Sequence, residues 1–511
     1  MTEHEAEILT VDVGTSSLKA VLYGLGGQIK ARSTQRYSYD SAQPGWAEGN
    51  PGTWWQAFCH ALADLRARGT DLGSVAAVSF TGQMHTAVLL DDDGRVIPPT
   101  ILWLDRRADR ETEELQRNLR LPPYQLNSTY TLPKLVWLYR NMPDAVARVR
   151  TILWPKDYLR FRLTGEVCTD LTEAGGAALL DWETRTWATE RLALAGLTPE
   201  VLPPIRPADG DAGAVLPQVA RELGLNPRAR VVVGMGDVAA LFGGAPPKPG
   251  RVVCSLGSSS MVFAALAEGQ AVLDPLGRLY VYPFGPYPLL GGVSSTTGAS
   301  VVWAWERLCD GRERGLTFED CVHAALQVEP GAGGVCFVPY LAGERSPYWS
   351  DTIRGGFYGL QLAHDWRYLV RAVMEGVAHS LRHLLDVYAE IGAPAQELAL
   401  AAGGVTTPGL VQIIADVCQR DVSVYAGEET VTRVLFALCR ASLGMGEFQE
   451  GLLRTFESPK VISCRRDLAR VYDEAYGRYR AFSAFAAEQA QQQRDGAHPG
   501  IAHARGAEAP R

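Results

Sequence analysis

No two of the nine cysteines form a C-x-x-C pair, which excludes a zinc ribbon or a dithiol redox motif. Scattered from position 59 to 464, they read as buried thiols of a reducing compartment rather than a disulfide framework. Positive charge is also missing in excess: the net charge of −8 gives no general attraction to nucleic acid or anionic membrane. Any phosphate held by this chain must be held by local geometry. Apolar runs are broken by Asp, Arg or Pro before reaching membrane-spanning length. The opening "MTEHEAEILTVDVG" lacks a basic-then-apolar leader, so a cytoplasmic protein is expected. What remains is an average globular composition, 47% hydrophobic and 21% charged, in 511 residues, enough for two or three domains.

The most informative feature is an echo. "ILTVDVGTSSLKAVLY" (8–23) and "VVCSLGSSSMVFA" (252–264) share an apolar run, a polar residue, an apolar residue, Gly, three hydroxyl residues and a second apolar run. A strand pair joined by such a turn exposes backbone N–H groups and hydroxyls in a concavity able to hold phosphate oxygens. The polar residue is Asp12 in the first copy and Ser255 in the second. A bare carboxylate repels phosphate unless a divalent cation lies between them, so one acid suits one Mg²⁺, bound directly or through water.

Around the echo, strands mix with helices, which gives an α/β class. A meander over 8–12, 19–23 and 29–37 precedes a helix over 50–69, then strands across 75–97 with an Asp93–Gly94 turn. The Pro/Gly run 243–250 marks a boundary and sets domains at 1–245 and 246–487. A long helix is expected over 368–392 and a strand over 397–405. The last helix is expected over 466–487, and the polar, low-complexity stretch 488–511 as a disordered tail.

Two other patterns compete. Gly234-Met-Gly236-Asp-Val-Ala239 fits the dinucleotide fingerprint G-x-G-x-x-A after a strand. Asp237 would set negative charge beside the pyrophosphate, however, and no acid ends a strand about twenty residues on. His379 and His383 stand four apart on the long helix, but no third ligand accompanies them, and they read as packing residues.

With these residues in view, the chain resembles the FGGY family of sugar kinases, within the actin/hexokinase/Hsp70 superfamily. The resemblance rests on "DVGTSSLKA", "GWAEGNPGTWW", "TGQMHTAVLLDDDGRVIPPTILWLDRRA", "LPKLVWL", "PKDYLRFRLTGEVCTD", "VVVGMGDVAALFGGA", "SLGSSS", "FVPYLAGERSPYW" and "RAVMEGVAHSL", in the family's order from residue 8 to about 485. It implies two ribonuclease-H-like domains with a cleft between them, and ATP-dependent phosphorylation of a sugar hydroxyl. It makes Asp237 the general base that accepts the hydroxyl proton. It points to Gln83, Met84, His85 and Asp105, with Asp237, as sugar-binding residues. Gly14, Thr15, Ser16, Gly257, Ser258 and Ser259 become the phosphate loops, Lys19 a residue orienting phosphate or Asp12, and Gly403 and Gly404 a backbone approach to adenosine. Trp46 and Glu48 are structural or close to the sugar. ATP and Mg²⁺ are the implied cofactors. A small sugar is the implied partner, without nucleic acid or membrane, and a homodimer stays open.

Within the family, "GQMH" with "PKDYLRFRLTGE" is similar to D-xylulose kinases, and "AGERSPYW" with "RGGFYGL" to gluconate kinases, so other sugar acids or polyols stay open. Four features depart from the pattern. Val238 replaces an Asn after the base, Ser260 a Gly in the second loop, and Ala402 the first Gly of an adenosine-side triplet. Val434, Leu435 and Phe436 are bulky where small residues are usual. These keep a second class open, a kinase-like protein that binds sugar and phosphorylates poorly.

Overall fold

The apolar run at the N-terminus forms β1 (Glu7–Val13), and the hydroxyl turn after it reverses the chain into β2 (Ser17–Gly24) and then β3 (Ile29–Arg36). In this computed structural model the described residues are 6–121, 126–181, 184–266, 274–284, 287–309, 315–402, 408–425, 429–456 and 459–497. Contacts divide the chain into two units. The first is Met1–Pro247 with Val281–Leu289 and Gly427–Ser458; the second is Lys248–Tyr280, Leu290–Ala426 and Pro459–Arg511.

In the first unit, β4 (Val75–Gly82), β5 (Asp211–Ala214) and β6 (Arg230–Val232) complete a six-stranded sheet ordered β5-β6-β4-β1-β2-β3. β1 pairs antiparallel with β2 and parallel with β4, which pairs parallel with β6. Helix α1 (Pro51–Ala67) covers it, starting where Asn50 accepts the Gly52 N–H and Pro51 needs no donor. Its face of Trp54, Phe58, Leu62 and Leu65 fills the main core with β1 and β2. A separate core of Ala87, Leu132, Ile152, Trp154 and Leu179 forms within the insertion that follows β4. Helices α2 (Pro155–Thr164), α3 (Leu171–Gly176) and α4 (Asp237–Gly243) bring polar residues toward the sheet's end.

In the second unit, β7 (Arg251–Leu256), β8 (Ser260–Ala265), β9 (Glu397–Ala402), β10 (Val422–Tyr425) and β11 (Lys460–Ile462) run in the order β8-β7-β9-β10-β11. β7 pairs antiparallel with β8 and parallel with β9, as β1 does with β2 and β4. Both units thus repeat the ribonuclease-H-like hairpin-plus-parallel-strand plan. Helix α5 (Gly298–Arg307) meets the β7–β8 turn, and α6 (Trp366–Glu390), capped by Asp365, packs behind.

Four boundaries differ from the sequence reading. The segment holding α7 (Thr430–Ser442) belongs to the first unit, because Val434, Leu435 and Phe436 bury there, Phe436 lying 5.1 Å from the Tyr23 ring. The last helix, α8, runs Ala469–Ala497, ten residues past the expected end. Its Glu, Gln and Ala residues are good helix formers, and Ala490 is buried, so a polar composition did not mean disorder. Residues 498–511 lie outside the described residues. Finally, α6 runs Trp366–Glu390, two residues earlier at each end than the expected 368–392, and Asp237 is the first residue of α4, after Gly236 as its cap.

Candidate functional site

The first hydroxyl turn is bound on both sides. The Gly14 N–H donates to Ser17 O at 2.9 Å, closing the turn. The Gly14 carbonyl accepts from Tyr37 Oη at 2.7 Å and Gln83 Nε2 at 3.3 Å. Thr15 Oγ1 accepts the Trp103 indole N–H at 2.9 Å and lies 3.4 Å from Gln83 Oε1. Ser16 stays exposed at the tip. Asp12, just before the turn, faces Lys19 across the β1–β2 ladder. Lys19 Nζ pairs with Glu429 at 3.1 Å, a partner that the sequence did not suggest. Burial raises the Asp12 pKa to about 6; Lys19 opposes this and Glu429 adds to it.

Asp237 begins α4 with its Oδ1 accepting the Val238 N–H at 2.7 Å. Burial raises its pKa to about 7, with the Asp12 charge contributing. Of the two acids that the sequence singled out, Asp12 thus adds its charge to the surroundings of Asp237. The turn before Asp237 is sterically exacting. A Cβ on Gly234, at φ +79°, would lie 2.0 Å from Phe80 O, and one on Gly236 would lie 2.5 Å from Met84 Sδ. These glycines serve packing against β4 and Met84, which accounts for the dinucleotide-like pattern.

Gln83, Met84 and His85 follow β4 directly, and the Gln83 N–H donates to Val13 O at 2.9 Å. His85 adopts φ +65°, and its Nδ1 meets the Gly176 carbonyl of α3. That contact makes Nδ1 the N–H donor and leaves Nε2 as an acceptor. Burial lowers the His85 pKa to about 4, so the ring is neutral at pH 7. Asp105 differs from expectation. Its side chain is sealed (0% exposed) and binds Arg107 at 2.8 Å and the Ala47 N–H at 2.5 Å. Arg107 in turn stacks 3.7 Å from the Trp46 ring and pairs with Glu48 at 2.8 Å. Asp105, Trp46 and Glu48 therefore gather around Arg107, and the Asp105 carboxylate is enclosed.

The second hydroxyl turn lies in the other unit. The Gly257 N–H donates to Ser259 O at 3.0 Å, while Ser258 and Ser259 are exposed. The Gly257 and Ser258 carbonyls accept the Gly298 and Ala299 N–H groups at 2.9 and 3.1 Å. The sequence reading missed this docking at the start of α5, although "SSTTGAS" before an apolar helix was the available signal. Gly403 and Gly404 lie outside the described residues. His379 and His383 are buried, with His379 stacked 5.7 and 5.6 Å from Tyr476 and Tyr479, as packing residues would be.

The bulky stretch of α7 has a steric answer. A Cβ on Gly243 would lie 2.7 Å from Val434 Cγ2, and one on Gly244 would lie 2.1 Å from Thr430 Cγ2. The small residues stand on α4 and the large ones on α7, so the two helices still approach closely.

Residues 7–243 match the N-terminal domain, and 252–433 the C-terminal domain, of the FGGY family of carbohydrate kinases. The chain is 32% identical to a xylulose kinase of Lactococcus lactis subsp. lactis (strain IL1403), covering 80% of this chain and 82% of that one. A gluconokinase of Bacillus subtilis (strain 168) is 24% identical, covering 88% and 89%. A crystal structure of a "xyloylose kinase" from Brucella ovis superposes with a TM-score of 0.84 at 31% identity, covering 93% of this chain and 98% of that one.

Proposed function

The chain belongs to the FGGY family of carbohydrate kinases, and from that premise we propose that it transfers the γ-phosphoryl group of ATP to a hydroxyl of D-xylulose or a related pentulose. The observation that carries this reading is Asp237, buried at the start of α4 after a turn packed on Met84, with its pKa raised by burial and by the Asp12 charge. Asp237 accepts the proton as the sugar oxygen bonds to the γ-phosphorus and the bridging bond to ADP breaks. A carboxylate whose pKa is near 7 is matched to that task at neutral pH. His85 Nε2 and Gln83 orient the polyol, and the exposed hydroxyls of Ser16, Ser258 and Ser259 with Gly14 and Gly257 hold phosphate oxygens. Gly403 and Gly404 provide the adenosine side.

The donor set fits a hard cation. Asp12 is a carboxylate held above its ordinary pKa with Lys19 as its counter-charge, and a Mg²⁺ ion would relieve that. When bound, Mg²⁺ would supply positive charge against the phosphate oxygens. A neutral sugar suits the site better than a sugar acid, whose carboxylate would add a third negative charge beside Asp12 and Asp237. The nine free cysteines fit a reducing cytoplasm.

The test is ADP release from Mg²⁺-ATP against ketoses, aldoses, polyols and sugar acids, with Asp237→Asn in parallel. D-Xylulose is expected to give the highest turnover, lost in the variant. Faster turnover of a sugar acid would change the substrate class. Turnover of no sugar above the variant's background would overturn the kinase reading.

A further inference from the structure

Five ionisable side chains of the first unit are enclosed together, each 0–1% exposed: Lys156, Asp157 and Arg160 of α2, Asp170, and Glu173 of α3. Four of them balance. Lys156 Nζ lies 2.6 Å from Asp157 Oδ1 and 2.9 Å from Asp170 Oδ1, and Arg160 Nη1 lies 2.8 Å from Asp157 Oδ1. Arg160 also donates to Val233 O at 2.7 Å and to Cys168 O, and Thr169 Oγ1 donates to Asp157 Oδ2 at 2.7 Å. Two cations and two carboxylates close the account. Glu173 is the fifth, and among the described residues neither of its oxygens has a hydrogen-bond partner. An ionised carboxylate without a donor is strongly disfavoured in such a place.

The position of Glu173 matters because of what α3 holds. Thr172 Oγ1 accepts the Gly236 N–H at 2.8 Å and donates to Asp170 Oδ2 at 2.5 Å. Gly176 O meets His85 Nδ1. One short helix therefore fixes both the residue before the base and the sugar-side histidine. Burial is the main cause that drives the Glu173 pKa well above the ordinary range; Asp157, Asp170 and Asp237 add to it and Lys156 opposes.

We infer that Glu173 is a neutral, proton-bearing positioning residue for Asp237: it fills the buried side of α3, whose Thr172 holds Gly236 before the base, without adding a negative charge there. The inference rests on Asp237 as the base. A charged Glu173 would oppose ionisation of Asp237, and a truncated one would leave a void at a fully buried position next to Thr172, which holds Gly236. Glutamine reproduces the size and neutrality of the protonated acid; alanine reproduces neither its volume nor its polar head.

The test is infrared difference spectroscopy at pH 9 with kcat/KM at pH 8. At pH 9 Asp12, Asp237 and Glu344, with pKa values of about 6, 7 and 7, are ionised. A protonated-carboxyl band is expected in the wild type and in Asp237→Asn, and its loss in Glu173→Gln. Glu173→Gln should keep kcat/KM within about threefold, and Glu173→Ala should lose about tenfold or more. Should glutamine not fold, Glu173→Leu supplies the difference spectrum. A band that survives the substitution, or is absent from the wild type, overturns the inference. So does a folded Glu173→Gln enzyme that has lost activity. If Asp237→Asn stays active, the base reading fails while the band still reports the Glu173 proton.

Discussion

The two hydroxyl turns began as one sequence motif and ended as two devices. In the first unit Val13 pairs with Leu18 across the turn; in the second Leu256 pairs with Ser260, so the second turn is one residue shorter. The first turn carries a carboxylate opposite an ammonium, Asp12 across from Lys19, while the second sets Ser255 opposite Met261. The first is pinned by side chains, Tyr37, Gln83 and Trp103; the second by backbone N–H groups of a helix start. The hairpin backbone recurs in both units. Chemistry was kept on one side only.

Breaking that asymmetry should have the largest effect on rate. Asp237→Asn removes the base and is expected to lower kcat about 10³-fold. Asp12→Asn should follow at roughly 10²-fold, whereas Ser255→Ala should change kcat by about twofold at most. A Ser255→Ala loss as large as that of Asp12→Asn would mean that the second turn is chemically active too.

Titration sharpens the same contrast: the first turn follows a carboxylate that titrates near neutrality, whereas Glu344, near 7 in the second unit, is bound to Ser294 and Ser295 before α5 rather than to the second turn. Asp237 must be ionised to act, so kcat/KM should fall about tenfold per unit as pH drops below about 7. Stability moves the other way. A carboxyl whose folded pKa is raised favours folding in its neutral form, so that stability is present at low pH and lost as pH rises through about 6 for Asp12 and 7 for Asp237. Thermal unfolding between pH 5 and 8 checks this, and the Asp12→Asn/Asp237→Asn double variant should flatten the slope. An unchanged slope would remove these two acids as its source.

Much of this was legible because strands and motifs are local. The 8–23 and 252–264 echo located both hairpins, and the Pro/Gly run fell within two residues of the Pro247/Lys248 break. What stayed hidden depends on distant partners. Nothing in "ILWLDRRA" says that Arg107 takes up Asp105, and nothing near Lys19 names Glu429, about four hundred residues away. Glu173 is unremarked in the sequence, because its burial and lack of hydrogen-bond partners exist only in the fold. The bulky α7 stretch looked like a defect because the compensating glycines stand on another helix.

That compensation is testable at a few kcal/mol. Gly243→Ala should destabilise the first unit by about 1–3 kcal/mol, since its Cβ would lie 2.7 Å from Val434. Val434→Ala, at a fully buried site, should cost about 1–2 kcal/mol. The pair together should cost less than the sum by about 1 kcal/mol or more. Simple additivity, read by chemical unfolding of the three variants, would show that the two helices do not meet as described.

The smallest effect tests the turns themselves. A Cβ on Gly14 would lie 3.1 Å from Ser17 O, and one on Gly257 would lie 3.1 Å from Ser259 O. The local crowding is the same, and replacing Gly by Ala offers each variant about 0.4–1 kcal/mol through the unfolded chain. The difference must come from how far each turn can yield. The first has an extra residue, an exposed Ser16 tip and side-chain pins that can shift. The second is shorter, and its carbonyls are fixed to the Gly298 and Ala299 N–H groups of α5. Gly14→Ala should therefore leave its unfolding transition within about 1 °C, while Gly257→Ala lowers its own by about 2–4 °C. Equal shifts would make the pins irrelevant, and a larger loss at Gly14 would reverse the order of rigidity argued for the two turns.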